Sequence, residues 1–148
     1  MGLISQLLPA NHIILDVELT SKKRLFEHVG LLVETSRGIA RSTVFDSLFA
    51  REKLGSTGIG QGIAIPHGRI KGLKDAVGVF VRLAQPLPFD APDGKPVKLV
   101  FSLLVPEHGT QQHLDILSDL ADRFADPDVR AVLCDTPDGA VVLKTFTD

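Results

Sequence analysis

What this chain lacks narrows its function first. It holds one cysteine, Cys134, among 148 residues. A single thiol closes no internal disulfide, and this one has no CxxC partner for metal or redox chemistry; in VRAVLCD it reads as a small buried core residue. Charge of one sign is also missing. Lys plus Arg number 16 and Asp plus Glu 18, a net charge of −2, which offers no basic footprint for nucleic acid and no polybasic membrane anchor. No apolar run approaches the roughly 20 residues that span a bilayer. The start, MGLISQLLPANHIILD, has neither the basic n-region nor the long h-region of a signal peptide. After Met1-Gly2, Gln6 stands where a myristoylation signal wants Ser or Thr. The expectation is a cytoplasmic protein without membrane insertion. Internal repeats, low-complexity tracts and interdomain linkers are absent as well.

What is present is an ordinary globular mix, 44% hydrophobic and 23% charged. At this length a chain buries roughly two-thirds of its unfolded surface. HIILD (12–16) reads as a short strand. Thr20 or Ser21 offers a helix N-cap ahead of Leu25, Val29, Leu32 and Val33 at helical spacing, until Gly38 ends the run. Ser42 is expected to cap a second helix, with Val44, Phe45, Leu48 and Phe49 on its apolar side and Gly55 as its stop. Residues 62–65 are extended enough for a strand. AVGVFVRL (76–83) and VKLVFSLLV (97–105) are β-branched and bounded, hence strands. The four prolines and the Asp-Gly of QPLPFDAPDGKP make the connection between them a loop or hairpin, where Asp93-Gly94 marks a turn and nothing more. Thr110 is placed to cap a third helix whose Leu114, Leu117, Leu120, Ala121 and Phe124 form one face. Pro127 and Pro137 occupy first-turn positions of two more. The pattern predicts one α/β domain over residues 1–148, with helices at the start and end and strands between.

The chemistry concentrates in GSTGIGQGIAIPHGR (55–69), which packs five glycines, a proline and a histidine into fifteen residues. It is not a dinucleotide loop: Gly58, Gly60 and Gly62 are spaced by two, in the order helix, loop, strand. Nor does the chain contain a GxxxxGK P-loop or a GxSxG nucleophile elbow. What is left is a backbone that bends closely and ends in Pro66-His67-Gly68. Glycine tolerates positive φ, and Pro66 holds Ile65 extended. His67 therefore leaves a stiff strand end flanked by flexible glycine, a way to present a nucleophile to a large partner. A plain turn residue is the alternative for any Pro-His-Gly.

Two further residues favour the nucleophile. Arg51, on the preceding helix, is charged at every physiological pH. His113 falls in the first turn of the third helix, where backbone N–H groups favour an anion by about 0.3–1 kcal/mol. Together they could hold a phosphoryl group on His67 through charge-assisted hydrogen bonds worth roughly 1.5–3 kcal/mol each. Neutral imidazole has one nucleophilic nitrogen, and a bond from the other nitrogen to a backbone carbonyl would set the tautomer. In-line transfer asks mainly for positioning and charge, so it needs no cofactor and no metal. Spacing does not bring the three side chains together; that is left to the fold.

REKLGSTGIGQGIAIPHG (51–68) closely resembles the active-site signature of enzyme IIA domains of the fructose/mannitol type in the bacterial phosphotransferase system, nearest to the nitrogen-regulatory subfamily. The likeness spans essentially the whole chain, and QHLDILS (112–118) is similar to the second histidine motif. The resemblance implies a mixed, mainly five-stranded sheet flanked by helices on both sides. It implies phosphorylation of His67 on Nε2 by a carrier similar to HPr, with Arg51 and His113 beside the phosphoryl group. Gln61, where Asn or Asp is common, and Arg69, where Lys is common, depart from the pattern without removing polarity or charge. Sugar-transport members pass the phosphate to an enzyme IIB domain, and no such segment is legible here. The expected role is that of a regulatory phosphocarrier whose targets resemble those of the subfamily, such as potassium transporters or sensor kinases.

Competing readings are a IIA component of sugar uptake that feeds a separate IIB, a non-covalent binding module with a structural histidine, and a metal hydrolase. For the last, His67, His108 and His113 are the imaginable ligands, but His108 and His113 lack the i, i+4 spacing that aligns two ligands on a helix. His12 and His28 read as strand-edge and helix-surface residues without a role. Ile59 is a candidate for a docking surface; Ile63 and Ile65 alternate like core positions.

Overall fold

Alternation in two long strands organises the molecule. In β5 (Val77–Leu87), Val77, Val79, Val81 and Leu83 point to one face of the sheet and Phe80 to the other. In β6 (Val97–Pro106), Leu99, Phe101, Leu103 and Val105 point to one face, and Val100 and Leu104 to the opposite one. Both faces are apolar, as expected of strands covered on two sides. The structure, a computed structural model, describes residue 4, residues 7–108 and residues 111–147.

A 3₁₀ turn (Ala10–His12) leads into β1 (Ile13–Val17), which runs parallel to β5. β5 and β6 pair antiparallel, with Phe80 opposite Phe101. On its other edge β6 carries two short parallel strands end to end: β3 (Ile63–Ala64), with Ile63 opposite Leu99, and β4 (His67–Ile70), with His67 opposite Leu103. β2 (Gly58–Gly60) pairs antiparallel with β3. The sheet is mixed and has six strands in the order β1-β5-β6-β3-β2, with β4 on β6. The expectation of mainly five strands is close. The short β2 and β4 have no strand pattern of their own and are extended because β3 and β6 offer them a ladder.

Helices α1 (Lys22–Arg37) and α2 (Arg41–Leu54) cover one face. Helices α3 (Gln111–Ala125), α4 (Pro127–Asp135) and α5 (Gly139–Thr147) cover the other. Phe146 of α5 is ringed by Phe80, Phe101 and Phe124 at centroid distances of 5.2, 5.2 and 5.7 Å, all edge-on. Such a buried aromatic is worth about 3–5 kcal/mol against truncation to alanine. Among the described residues no helix is long and apolar enough to cross a membrane.

Helix ends show where local signals sufficed. Ser21 caps α1 by accepting from the Arg24 N–H, and Gly38 closes it at φ 72°, a left-handed cap that suits glycine. The second cap differs from expectation. Ala40, not Ser42, occupies the N-cap of α2 and has no side chain to offer; Glu34 of α1 reaches across to accept from the Arg41 N–H at 3.0 Å. Pro127 does open α4, whereas Pro137 lies ahead of α5 and Asp138 caps it through the Ala140 N–H at 2.9 Å. The buried positions of α3 are Ile116, Leu120 and Phe124, while Leu114 is 60% exposed and Ala121 faces solvent. His12 is fully buried rather than at a strand edge, and Cys134 is only half-buried. The Thr110 cap, like Met1, Gly2 and Gln6, lies outside the described residues.

Candidate functional site

His67 begins a strand instead of ending one. Its main chain is held by β6, where the Leu103 N–H donates to the Pro66 carbonyl at 2.8 Å. The side chain projects half-buried at the edge of the sheet. Its Nδ1 lies 3.0 Å from the Ile65 carbonyl oxygen. A carbonyl only accepts, so Nδ1 carries the proton and Nε2 keeps its lone pair. That lone pair faces the Arg51 Nε–H at 3.3 Å.

Arg51 reaches this position from the last turn of α2. Its Nη1 donates to the Gly55 carbonyl at 2.9 Å, anchoring the guanidinium at its far end. α2 lies close against β4 because residue 68 is glycine: a Cβ there would fall 2.1 Å from the Ser47 hydroxyl oxygen and 3.0 Å from the Ser47 backbone. Ser47 in turn donates to the Arg69 carbonyl at 2.9 Å. The helix thus packs on the strand where the histidine begins.

The third candidate arrives from the opposite layer. His113, in the first turn of α3, lines the same groove as Arg51 and His67, together with Leu54, Arg69 and Leu114. The groove has a volume of about 640 Å³. Arg69 is steadied by donating to the Glu107 carbonyl at 3.0 Å. Three residues scattered over 63 positions of sequence therefore share one concavity. His108 does not line it; that imidazole is almost fully exposed, with Glu107 as its nearest carboxylate at 3.8 Å. Among the described residues no three His, Cys, Asp or Glu side chains are grouped to hold a metal ion.

Several participants were not legible as such. Leu54, next to the Gly55 stop, is 84% exposed and walls the groove; an apolar residue at a helix end, off the buried stripe, is the only signal it leaves. Ile59 is 47% exposed nearby in sequence, whereas Ile63 and Ile65 are buried in the core as expected. Asp93 does more than mark a turn. Its carboxylate accepts from the Gln61 N–H at 2.9 Å and the Lys95 N–H at 3.1 Å. Those two donors, Gln61 first, hold its carboxyl below the ordinary aspartate range. Gln61 adopts φ 60°, and this bond pins the turn between β2 and β3. Glu52, one residue beyond Arg51, is buried and saturated with donors: Lys22 Nζ at 2.8 Å, the Thr57 N–H at 3.1 Å and the Thr57 hydroxyl at 2.5 Å.

Comparison with known proteins places the chain. Residues 6–148 match the family described as phosphoenolpyruvate-dependent sugar phosphotransferase system, EIIA 2. A nitrogen regulatory protein of Klebsiella oxytoca is 50% identical over 111 residues, 74% of this chain and 68% of the relative. One of Pseudomonas aeruginosa is 40% identical over 146 residues, 98% and 95% of the two chains. The crystal structure of the nitrogen regulatory protein IIA-Ntr from Neisseria meningitidis superposes with a TM-score of 0.94 at 53% identity, covering 99% of this chain and all of that one.

Proposed function

The chain belongs to the EIIA 2 family of the phosphoenolpyruvate-dependent sugar phosphotransferase system, and from that premise we propose that it is a regulatory phosphocarrier whose phosphoryl acceptor is Nε2 of His67. The observation that carries this is the pair of contacts on one imidazole, Nδ1 on the Ile65 carbonyl and Nε2 toward the Arg51 guanidinium. The first leaves the lone pair on the nitrogen that faces the groove; the second aims a fixed positive charge at the place where phosphoryl oxygens would gather.

Transfer proceeds from a phosphohistidine of an HPr-like carrier docked on the groove. The Nε2 lone pair attacks phosphorus in line; as the new N–P bond forms, the carrier's N–P bond breaks and its electron pair returns to the carrier's ring nitrogen. His67 keeps its Nδ1 proton throughout, and the Ile65 carbonyl compensates the positive charge that develops on the ring. Arg51 and His113 then hold the phosphoryl oxygens, the kind of electrostatic positioning on which phosphoryl transfer mostly depends. The exposed Leu54 and Leu114 supply an apolar rim for docking. Phosphorylation adds about 1.5–2 negative charges inside that rim, enough to change which partners bind there. The name of the relatives, nitrogen regulatory protein, supports a regulatory role; the targets we propose are proteins such as potassium transporters or sensor kinases, bound in one phosphorylation state.

Incubation with phosphoenolpyruvate, enzyme I and an HPr-like carrier, followed by intact mass, tests the reading. One acid-labile phosphoryl group is expected on the wild type and none on His67→Ala. No mass gain with an active, matched carrier would refute it. Onward transfer to an isolated IIB domain would identify a sugar-uptake component instead.

A further inference from the structure

The carbonyl that orients His67 needs an anchor of its own. Ile65 lies in the two-residue gap between β3 and β4, outside the regular ladder. Its N–H donates to the Thr57 carbonyl at 3.0 Å. Thr57 is itself clamped from below, its N–H and hydroxyl both donating to the Glu52 carboxylate. Lys22 of α1 completes the set with its ammonium 2.8 Å from Oε2, while resting over the Phe89 ring at 4.6 Å. A line of contacts therefore runs Lys22, Glu52, Thr57, Ile65, His67 Nδ1, with every link within hydrogen-bond distance.

A second line starts from the same residue. The Gly55 N–H donates to the Glu52 main-chain carbonyl at 3.2 Å, and the Gly55 carbonyl receives Arg51 Nη1. The segment 52–57 thus references both sides of the imidazole, the carbonyl under Nδ1 and the cation over Nε2. Glu52 and Thr57 are 8% and 5% exposed and Ile65 is 6% exposed, so neither carboxylate nor carbonyls exchange these partners readily for water.

We propose that Glu52 is a positioning residue for His67: by clamping Thr57 it holds the Ile65 carbonyl as the acceptor for Nδ1–H, and so keeps the lone pair on Nε2. The proposal rests on His67 Nε2 as the phosphoryl acceptor. Its physical content is separate, because free histidine favours the opposite tautomer, with the proton on Nε2. An Ile65 carbonyl released from its anchor lets the ring relax to that form, in which the groove-facing nitrogen has no lone pair to attack with. Partners that orient a metal-ligating histidine change activity by about 10–100-fold when removed, and a loss of the same order is expected for a partner that orients a phosphoryl acceptor.

The test reads the tautomer directly. Long-range ¹H–¹⁵N correlation spectra of unphosphorylated, histidine-labelled protein, taken where the rings are neutral, distinguish Nδ1–H from Nε2–H. Wild type is expected to show the Nδ1–H form of His67. Glu52→Gln, nearly isosteric but without the charge and one acceptor, is expected to shift it toward Nε2–H. The same variant should lose about tenfold or more in transfer rate at saturating carrier, with KM for the carrier unchanged. Thr57→Val, which removes only the hydroxyl half of the clamp, should shift the tautomer less in the same direction, and it decides the matter alone if Glu52→Gln does not fold. A folded variant whose His67 keeps the wild-type tautomer overturns the proposal. That reading needs no carrier, so it stands apart from a failure of wild-type phosphorylation, which would overturn the acceptor assignment instead.

Discussion

Two histidines of this molecule are held in the same way through Nδ1 and differ in what meets Nε2. His12 places Nδ1 2.9 Å from the Gly78 carbonyl; His67 places it 3.0 Å from that of Ile65. Beyond that point they diverge. His12 is fully buried and turns Nε2 to the Ser36 hydroxyl at 2.7 Å. His67 is half-buried and turns Nε2 to a guanidinium at the wall of an open groove. A carbonyl that selects the tautomer is therefore not what distinguishes the proposed acceptor, His67, from the buried His12. Access and charge at the second nitrogen are.

The largest effect that can break this comparison is an exchange of fates. His67→Ala is expected to abolish phosphoryl uptake and leave the urea midpoint nearly unmoved, while His12→Asn leaves uptake intact, both by intact mass and equilibrium unfolding. Uptake that survives in His67→Ala would move the acceptor elsewhere. Next comes the charge over Nε2. Arg51→Ala removes a charge-assisted contact of roughly 1.5–3 kcal/mol, so single-turnover transfer should slow by about 10–150-fold. A rate within error of wild type would mean that the guanidinium serves the loop through Gly55 alone.

A smaller effect belongs to the structural histidine. His12→Asn keeps a donor toward the Gly78 carbonyl but strands the Ser36 hydroxyl, at a cost of about 1–3 kcal/mol in urea unfolding. The smallest is its pH dependence. Burial is the main cause that holds the His12 imidazole below its ordinary value of 6.5; the Gly78 carbonyl opposes this and the Arg37 charge adds to it. The unfolded chain thus takes up this proton at higher pH than the native state does. The stability contributed by neutral His12 is complete above about pH 6.5 and is lost progressively as pH falls below it. Urea midpoints at about pH 7.5 and about pH 5.5 should separate in wild type by more than in His12→Asn; equal separations would assign the slope to other groups.

How much of this was legible depends on range. Ser21 and Gly38 bracket α1 as read, because a cap answers to N–H and C=O groups within a turn of itself. Ser42 is no cap because the helix begins one residue before it: the Val44 N–H that it would accept donates to the Ala40 carbonyl, while Glu34 of another helix accepts from the Arg41 N–H. β4 went unread because His-Gly-Arg-Ile has no strand pattern of its own; it is extended through its pairing with Leu103 to Pro106, over thirty positions away. Nothing local in the sequence singles out Glu52. Only the fold buries it and surrounds it with Lys22 and Thr57.

The sequence by itself determined which chemistry was on offer: a histidine behind Pro66 and ahead of Gly68, an arginine on the preceding helix, a second histidine at the start of a later one, and no charge surplus, thiol pair or nucleotide loop to compete with them. Periodicity and turn chemistry act over a few residues, so the helices and the two long strands could be read as well. The tertiary structure alone decided that Arg51, His67 and His113 line one groove, that Nδ1 of His67 meets a carbonyl while Nε2 meets a cation, and that Glu52 stands beneath both. Those are relations between segments with no local signal for one another. They arise when a two-faced sheet brings α2 and α3, from its opposite layers, to the end of β4.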